Sequence, residues 1–153
     1  MTRSVAVVFV VVHDPVGAGF VESLARPGAN ITGFSTFEPE IGGKWLELLK
    51  EINPGLRRVA GIVDPVFSGF AKLWRAIEHQ GLAFGLDVKS LALNEPGDDI
   101  ESAIAQFAQG PAGGLIVLPT AINNVARDRI IASAARHRIA SIIHSRTTPR
   151  VGG

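Results

Sequence analysis

Short runs of Val, Ile and Leu alternate along this chain with stretches whose apolar residues recur every three or four positions. No other feature restricts the fold as tightly. The runs cover residues 5–12, 31–34, 59–63, 88–93, 115–118 and 140–143. As short runs rich in Val, Ile and Leu, they read as buried strands of a parallel sheet. Between them, Trp45, Leu48, Leu49 and Ile52 fall at i, i+3, i+4 and i+7, one stripe of a helix. Ile100, Ala103, Ile104 and Phe107 repeat that spacing, Phe70, Leu73, Trp74 and Ile77 form a third stripe, and Val125, Ile130, Ile131 and Ala134 a looser fourth. Strand and helix in strict alternation imply an α/β fold, a parallel sheet with helices on both faces.

Punctuation follows the same boundaries. Asp14-Pro15 and Asp64-Pro65 each place a carboxylate acceptor before a proline suited to the first helical position. The turns Arg26-Pro27-Gly28, Asn53-Pro54-Gly55 and Glu95-Pro96-Gly97 end or precede elements. With 153 residues the chain is the size of one domain and can bury a substantial core. Fifteen basic residues against 14 acidic ones give a net charge of +1, which argues for no nucleic-acid partner and no anionic membrane surface. The absence of cysteine excludes a disulfide framework, a thiolate metal site and a cysteine nucleophile. The start, MTRSVAVVFVVV, lacks a small-x-small cleavage pattern where a signal peptide would need one, so it reads as a strand and not as an export signal.

The most suggestive repeat is DPVGAGF at 14–20 and DPVFSGF at 64–70. It is not a nucleotide loop. Glu22 stands where a dinucleotide fingerprint needs its third glycine, and no Gly-Lys-Ser/Thr is present. Two readings remain open: simple helix capping, or part of a ligand rim. The second rests on position, because ligands of open parallel sheets gather beyond the carboxyl ends of strands. Asp14, Asp64, Thr120 and His144 all fall at such ends. A phosphate-receiver domain would need an acidic pair at the first strand and a Lys at the last, where this chain has His13-Asp14 and His144. No serine stands in G-x-S-x-G, and the histidines His13, His79, His137 and His144 show no metal-binding spacing. The expectation is therefore no enzyme, no cofactor and no metal. Trp45, Phe70, Trp74 and Phe107 read as core, and His79 and His137 as solvated.

The stretch HDPVGAGFVESLARPGANITGFSTFEPEIGGKWLELLKEINPGLRRVAGIVDP, with GGLIVLPTAINNVARDRIIASAARHRI further on, resembles the substrate-binding proteins of ABC transporters with a type I periplasmic-binding fold. The likeness is to the group that includes receptors for aromatic amino acids, and it covers most of the chain. It implies two Rossmann-like α/β lobes that close over a small organic ligand such as an amino acid, with an ABC permease as partner and a periplasmic location. Without an export signal the chain as written would stay in the cytoplasm. Residues 1–34 would be the end of the first lobe, 35–146 the second lobe and 147–153 a disordered tail. The resemblance implies equivalent helices starting at Asp14 and Asp64 and facing the cleft from its two sides. Ser35, Thr36, Asp64, Phe67 and Pro119-Thr120 would complete the ligand-binding lining with Asp14.

Relative to the family pattern, most of the first lobe is missing before Met1, as is the return segment after the last strand, so the resemblance implies a truncated member. An apolar strand at 5–12 without its neighbours is prone to pair with another chain. A homodimer through residues 1–34 is the expected consequence. The contrasting expectation is an oligomerising α/β module, or a remnant, that binds nothing small.

Overall fold

The structure, a computed structural model, describes residues 5–12, 14–28, 30–35, 40–64, 68–92 and 99–143, without the side chains of residues 11 and 68. The expected tail at 147–153 lies outside the described residues. Two parallel sheets are present. The smaller pairs β1 (Val7–Val12) with β2 (Ile31–Ser35), in register from Val7–Ile31 to Val12–Ser35 with an irregularity between Val10 and Val12. The larger contains β3 (Arg58–Val63), β4 (Asp87–Ala92), β5 (Gly113–Val117) and β6 (Ala140–Ile143), in the order β4-β3-β5-β6. Its helices are α1 (Ile41–Ile52), α2 (Ala71–Ala83), α3 (Ile100–Ala108), α4 (Ala121–Val125) and α5 (Arg127–Arg136).

The helices cover both faces of the larger sheet, burying the apolar central strands β3 and β5. The edge strand β4, DVKSLA, stays largely exposed where the sequence suggested a buried run. On one face Trp45, Leu46 and Leu49 of α1 and Leu73 and Ile77 of α2 pack with Val59 and Ile116. On the other, Ile100, Ile104 and Phe107 of α3 and Ile130 and Ala134 of α5 pack with Ala60, Ile62, Leu115 and Val117. Consecutive strand residues thus feed opposite layers. Leu46, Leu49, Ile77 and Ile104 are fully enclosed, each contributing about 1.5–3 kcal/mol of burial. Among the described residues, neither core contains a side chain from before Ile41.

Local chemistry sets the element ends. The Asp99 carboxylate accepts the Ser102 N–H at 3.0 Å and starts α3. Gly85, at φ +69°, ends α2: the Leu86 N–H reaches the Gly81 carbonyl at 2.9 Å and the Gly85 N–H that of Leu82 at 3.0 Å. Trp74 lies flat against β3 where Gly61 has no side chain, and a Cβ there would overlap the indole ring.

The expected helix after Asp14 is absent. Residues 15–19 make a turn, with the Ala18 N–H on the Asp14 carbonyl and the Phe20 N–H on that of Pro15, both at 2.9 Å. The helical bonding is not propagated: Gly17 lowers helix propensity and Gly19 takes φ +71°. Two stripes are also corrected. In α1 the buried set is Gly42, Trp45, Leu46 and Leu49, while Leu48 and Ile52 face solvent. The fourth helical segment is divided at Ala126 into α4 and α5, and Val125 and Ile131 point outward.

Candidate functional site

The order β4-β3-β5-β6 contains one reversal of direction. After β3 the chain moves through α2 to β4 on one side, and after β5 it moves through α4 and α5 to β6 on the other. The two connections lie on opposite faces of the sheet, α2 in one core and α5 in the other. The switch point therefore lies between the carboxyl ends of β3 and β5, the position where open α/β sheets hold ligands. Asp64 follows the last residue of β3 directly and is half-buried. Thr120 stands beyond β5 at the start of α4. Because Ile62 pairs with Val117, the segments carrying these two residues leave the sheet side by side.

The loop after β5 is tightly built. Pro119 fixes the backbone of a three-residue turn closed by the Thr120 N–H on the Leu118 carbonyl at 2.9 Å. The Thr120 hydroxyl accepts the Asn123 N–H at 3.2 Å, and the residue is only 3% exposed. Thr120 is thus a buried helix cap. Capping α4 uses one lone pair of its oxygen and leaves the hydroxyl hydrogen and a second lone pair. Asn123, absent from the residues singled out in the sequence, is buried between the ends of β3 and β5. Its side-chain amide donates to the Ile62 carbonyl at 2.9 Å and the Leu118 carbonyl at 2.7 Å.

Asp14 lies at the end of β1, in the other sheet. Its carboxylate accepts the Gly17 N–H at 2.9 Å and pairs with Lys72 Nζ at 2.9 and 3.0 Å. Burial acts to raise its pKa, but the Gly17 N–H and the Lys72 ammonium outweigh it and hold Asp14 below the usual carboxylate value. Lys72 belongs to the first turn of α2, where a cation opposes the helix dipole, and the approach of Asp14 offsets that. The pair brings the DPVGAG turn onto the larger α/β unit, on the helix that follows Asp64.

Ser35 is the last residue of β2 and half-buried. It belongs to the smaller sheet, whereas Asp64 and Thr120 flank the larger. His13, Thr36, Phe67 and His144 lie outside the described residues. Of the remaining histidines, His79 is exposed on α2 and His137 half-buried just past α5. Among the described residues no group of three or more His, Asp or Glu side chains could hold a metal ion. No helix there is long and apolar enough to cross a membrane.

Comparison with known proteins bears on the fold and the family. The chain is 36% identical over 63 residues to a tyrosine-binding protein of Clostridioides difficile, a match covering 41% of this chain and 18% of that protein. The fold is similar to that of an ABC domain from Streptococcus pneumoniae solved in complex with L-Trp, with a TM-score of 0.79 and 19% identity over 95% of this chain and 48% of that one. A conserved domain protein from Vibrio cholerae superimposes with a TM-score of 0.78 and 25% identity, covering 92% of this chain and 46% of the other. The chain thus spans about half the length of its solved relatives. Residues 1–153 match the ABC transporter substrate binding protein family throughout, and the chain belongs to that family.

Proposed function

We propose that this chain is a solute-binding component of an ABC-type transporter that takes up a small, amino-acid-like ligand beside the crevice between β3 and β5. The observation that carries this reading is the switch point itself, with a carboxylate (Asp64) and a buried, oriented hydroxyl (Thr120) on its two sides. The carboxylate suits an ammonium group. Asp14 and Ser35, with Thr36 and Phe67, would line the opposite and connecting parts of the site. Residues 1–34 would then act as part of one lobe, residues 35–146 as the second, and the permease would be the membrane partner, met on the periplasmic side. Relatives named for tyrosine binding and for a complex with L-Trp support an aromatic amino acid as the ligand.

The smaller sheet supports a further element of this reading, a homodimer through residues 1–34. Val8 and Val10 are 60% and 65% exposed and Phe34 72%, so both apolar strands present surface to solvent. No charged residue interrupts residues 4–12 to discourage pairing with another chain. Calorimetric titration with L-tryptophan and L-tyrosine, together with native mass spectrometry, tests both parts. Saturable binding of either amino acid by a dimer is expected. Failure to bind either would reject the aromatic ligand, and a monomer would reject the pairing.

A further inference from the structure

A single buried amide bridges the switch point between β3 and β5. The β3–β5 ladder ends at the Ile62–Val117 pair, with one further bond from the Leu118 N–H to the Ile62 carbonyl at 3.3 Å. Beyond it the two chains part toward opposite faces of the sheet. Asn123, 2% exposed, supplies the rung that the backbone no longer can: one side-chain amide reaches the carbonyls of both strand ends.

We infer that Asn123 is the positioning residue of the ligand crevice, holding the carboxyl ends of β3 and β5 together so that Asp64 and Thr120 keep a fixed spacing. This rests on the ligand-rim reading above. The orientation of the amide follows from its surroundings, because reversal would set its oxygen against two carbonyl oxygens. The Oδ1 atom is meanwhile buried with no hydrogen-bond partner. A buried acceptor left without a donor is destabilising, and an apolar side chain of similar size would avoid it. What an apolar side chain could not do is bridge Ile62 and Leu118. The backbone N–H of the same residue is capped by Thr120, so one residue couples the hydroxyl on the rim to both strand ends.

The test uses the full chain with Asn123→Ala, Asn123→Ser and, as a control, Ile130→Val, a truncation in the adjoining core. Amide hydrogen exchange of Leu118 is compared with that of the interior of β5, and L-tryptophan affinity is measured by calorimetry. In Asn123→Ala, Leu118 exchange should rise at least tenfold relative to the β5 interior, and affinity should fall at least tenfold. Asn123→Ser, which keeps one donor, should lie between it and the wild type. Ile130→Val should shift Leu118 and the β5 interior together and leave affinity within twofold. Faster Leu118 exchange with unchanged affinity would overturn the positioning role, as would an Asn123→Ala profile indistinguishable from that of Ile130→Val. If the wild type does not bind L-tryptophan, the aromatic-ligand reading fails, and the exchange comparison alone decides whether Asn123 holds the strand ends.

Discussion

Asp14 and Lys72 join the segment that carries β1 and β2 to the larger unit, whose two apolar clusters contain no described side chain from before Ile41. Breaking the pair therefore tests whether the two parts fold as one. The carboxylate has two partners, and two substitutions separate them. Asp14→Asn keeps an oxygen for the Gly17 N–H and removes the charge, whereas Asp14→Ala removes both. With the side chains of Asp14 and Lys72 21% and 56% exposed, water screens the attraction, and the pair is worth about 0.5–1 kcal/mol. The lost turn cap adds about 1 kcal/mol in the alanine variant. Both tryptophans, Trp45 and Trp74, belong to the larger unit, so fluorescence-detected urea unfolding reports that unit alone. A cycle with Lys72→Met should show coupling of about 0.5–1 kcal/mol that weakens at high salt. Because the folded pKa of Asp14 is depressed below its ordinary 3.8, the contribution is complete above that value. It is lost as pH falls through the folded pKa, and Asp14→Asn should flatten that acid dependence. A coupling below about 0.2 kcal/mol at low salt would mean that the DPVGAG turn contributes nothing to the larger unit, and would refute the reasoning.

Two further substitutions probe the frame beneath the site. Gly61→Val should displace Trp74 from β3 and destabilise the chain by about 1–3 kcal/mol, with a shifted tryptophan emission maximum as the local readout. Ile104→Ala, in the opposite core layer, should cost about 2–5 kcal/mol in chemical denaturation while leaving the emission maximum of the folded state unchanged.

The strands and α1, α2 and α3 were legible because their signal is periodic and long. Errors arose where a structural residue carries no apolar signal. In α1 the buried stripe includes Gly42, which no hydrophobicity pattern marks, and omitting it rotated the expected face toward Leu48 and Ile52. Residues 14–20 have a good helix start but glycines that do not sustain one, so the capping chemistry was read correctly and its extent was not. Topology alone placed Asp64 and Thr120 at adjacent strand ends. Lys72 and Asn123 were missed for a common reason. A lysine early in a helix and an asparagine beyond a strand end look like solvated surface. The partners from distant segments, Asp14 for Lys72 and the Ile62 carbonyl for Asn123, are visible only in the fold.

The strand order also governs when the sheet can be assembled. Arg58 of β3 pairs with Asp87 on one side and with Gly113 on the other, so its two neighbours become available far apart in the chain. A chain emerging from the ribosome completes the β3–α2–β4 unit first, leaving the opposite edge of β3 bare until β5 has been made. Ala60 and Ile62 then have no cover from α5, and the last rung, from Asn123 to Ile62, closes only after β5 is in place. The interval between β4 and β5 is therefore when the nascent chain is most vulnerable to pairing with the wrong strand, and it ends once β5 covers that edge.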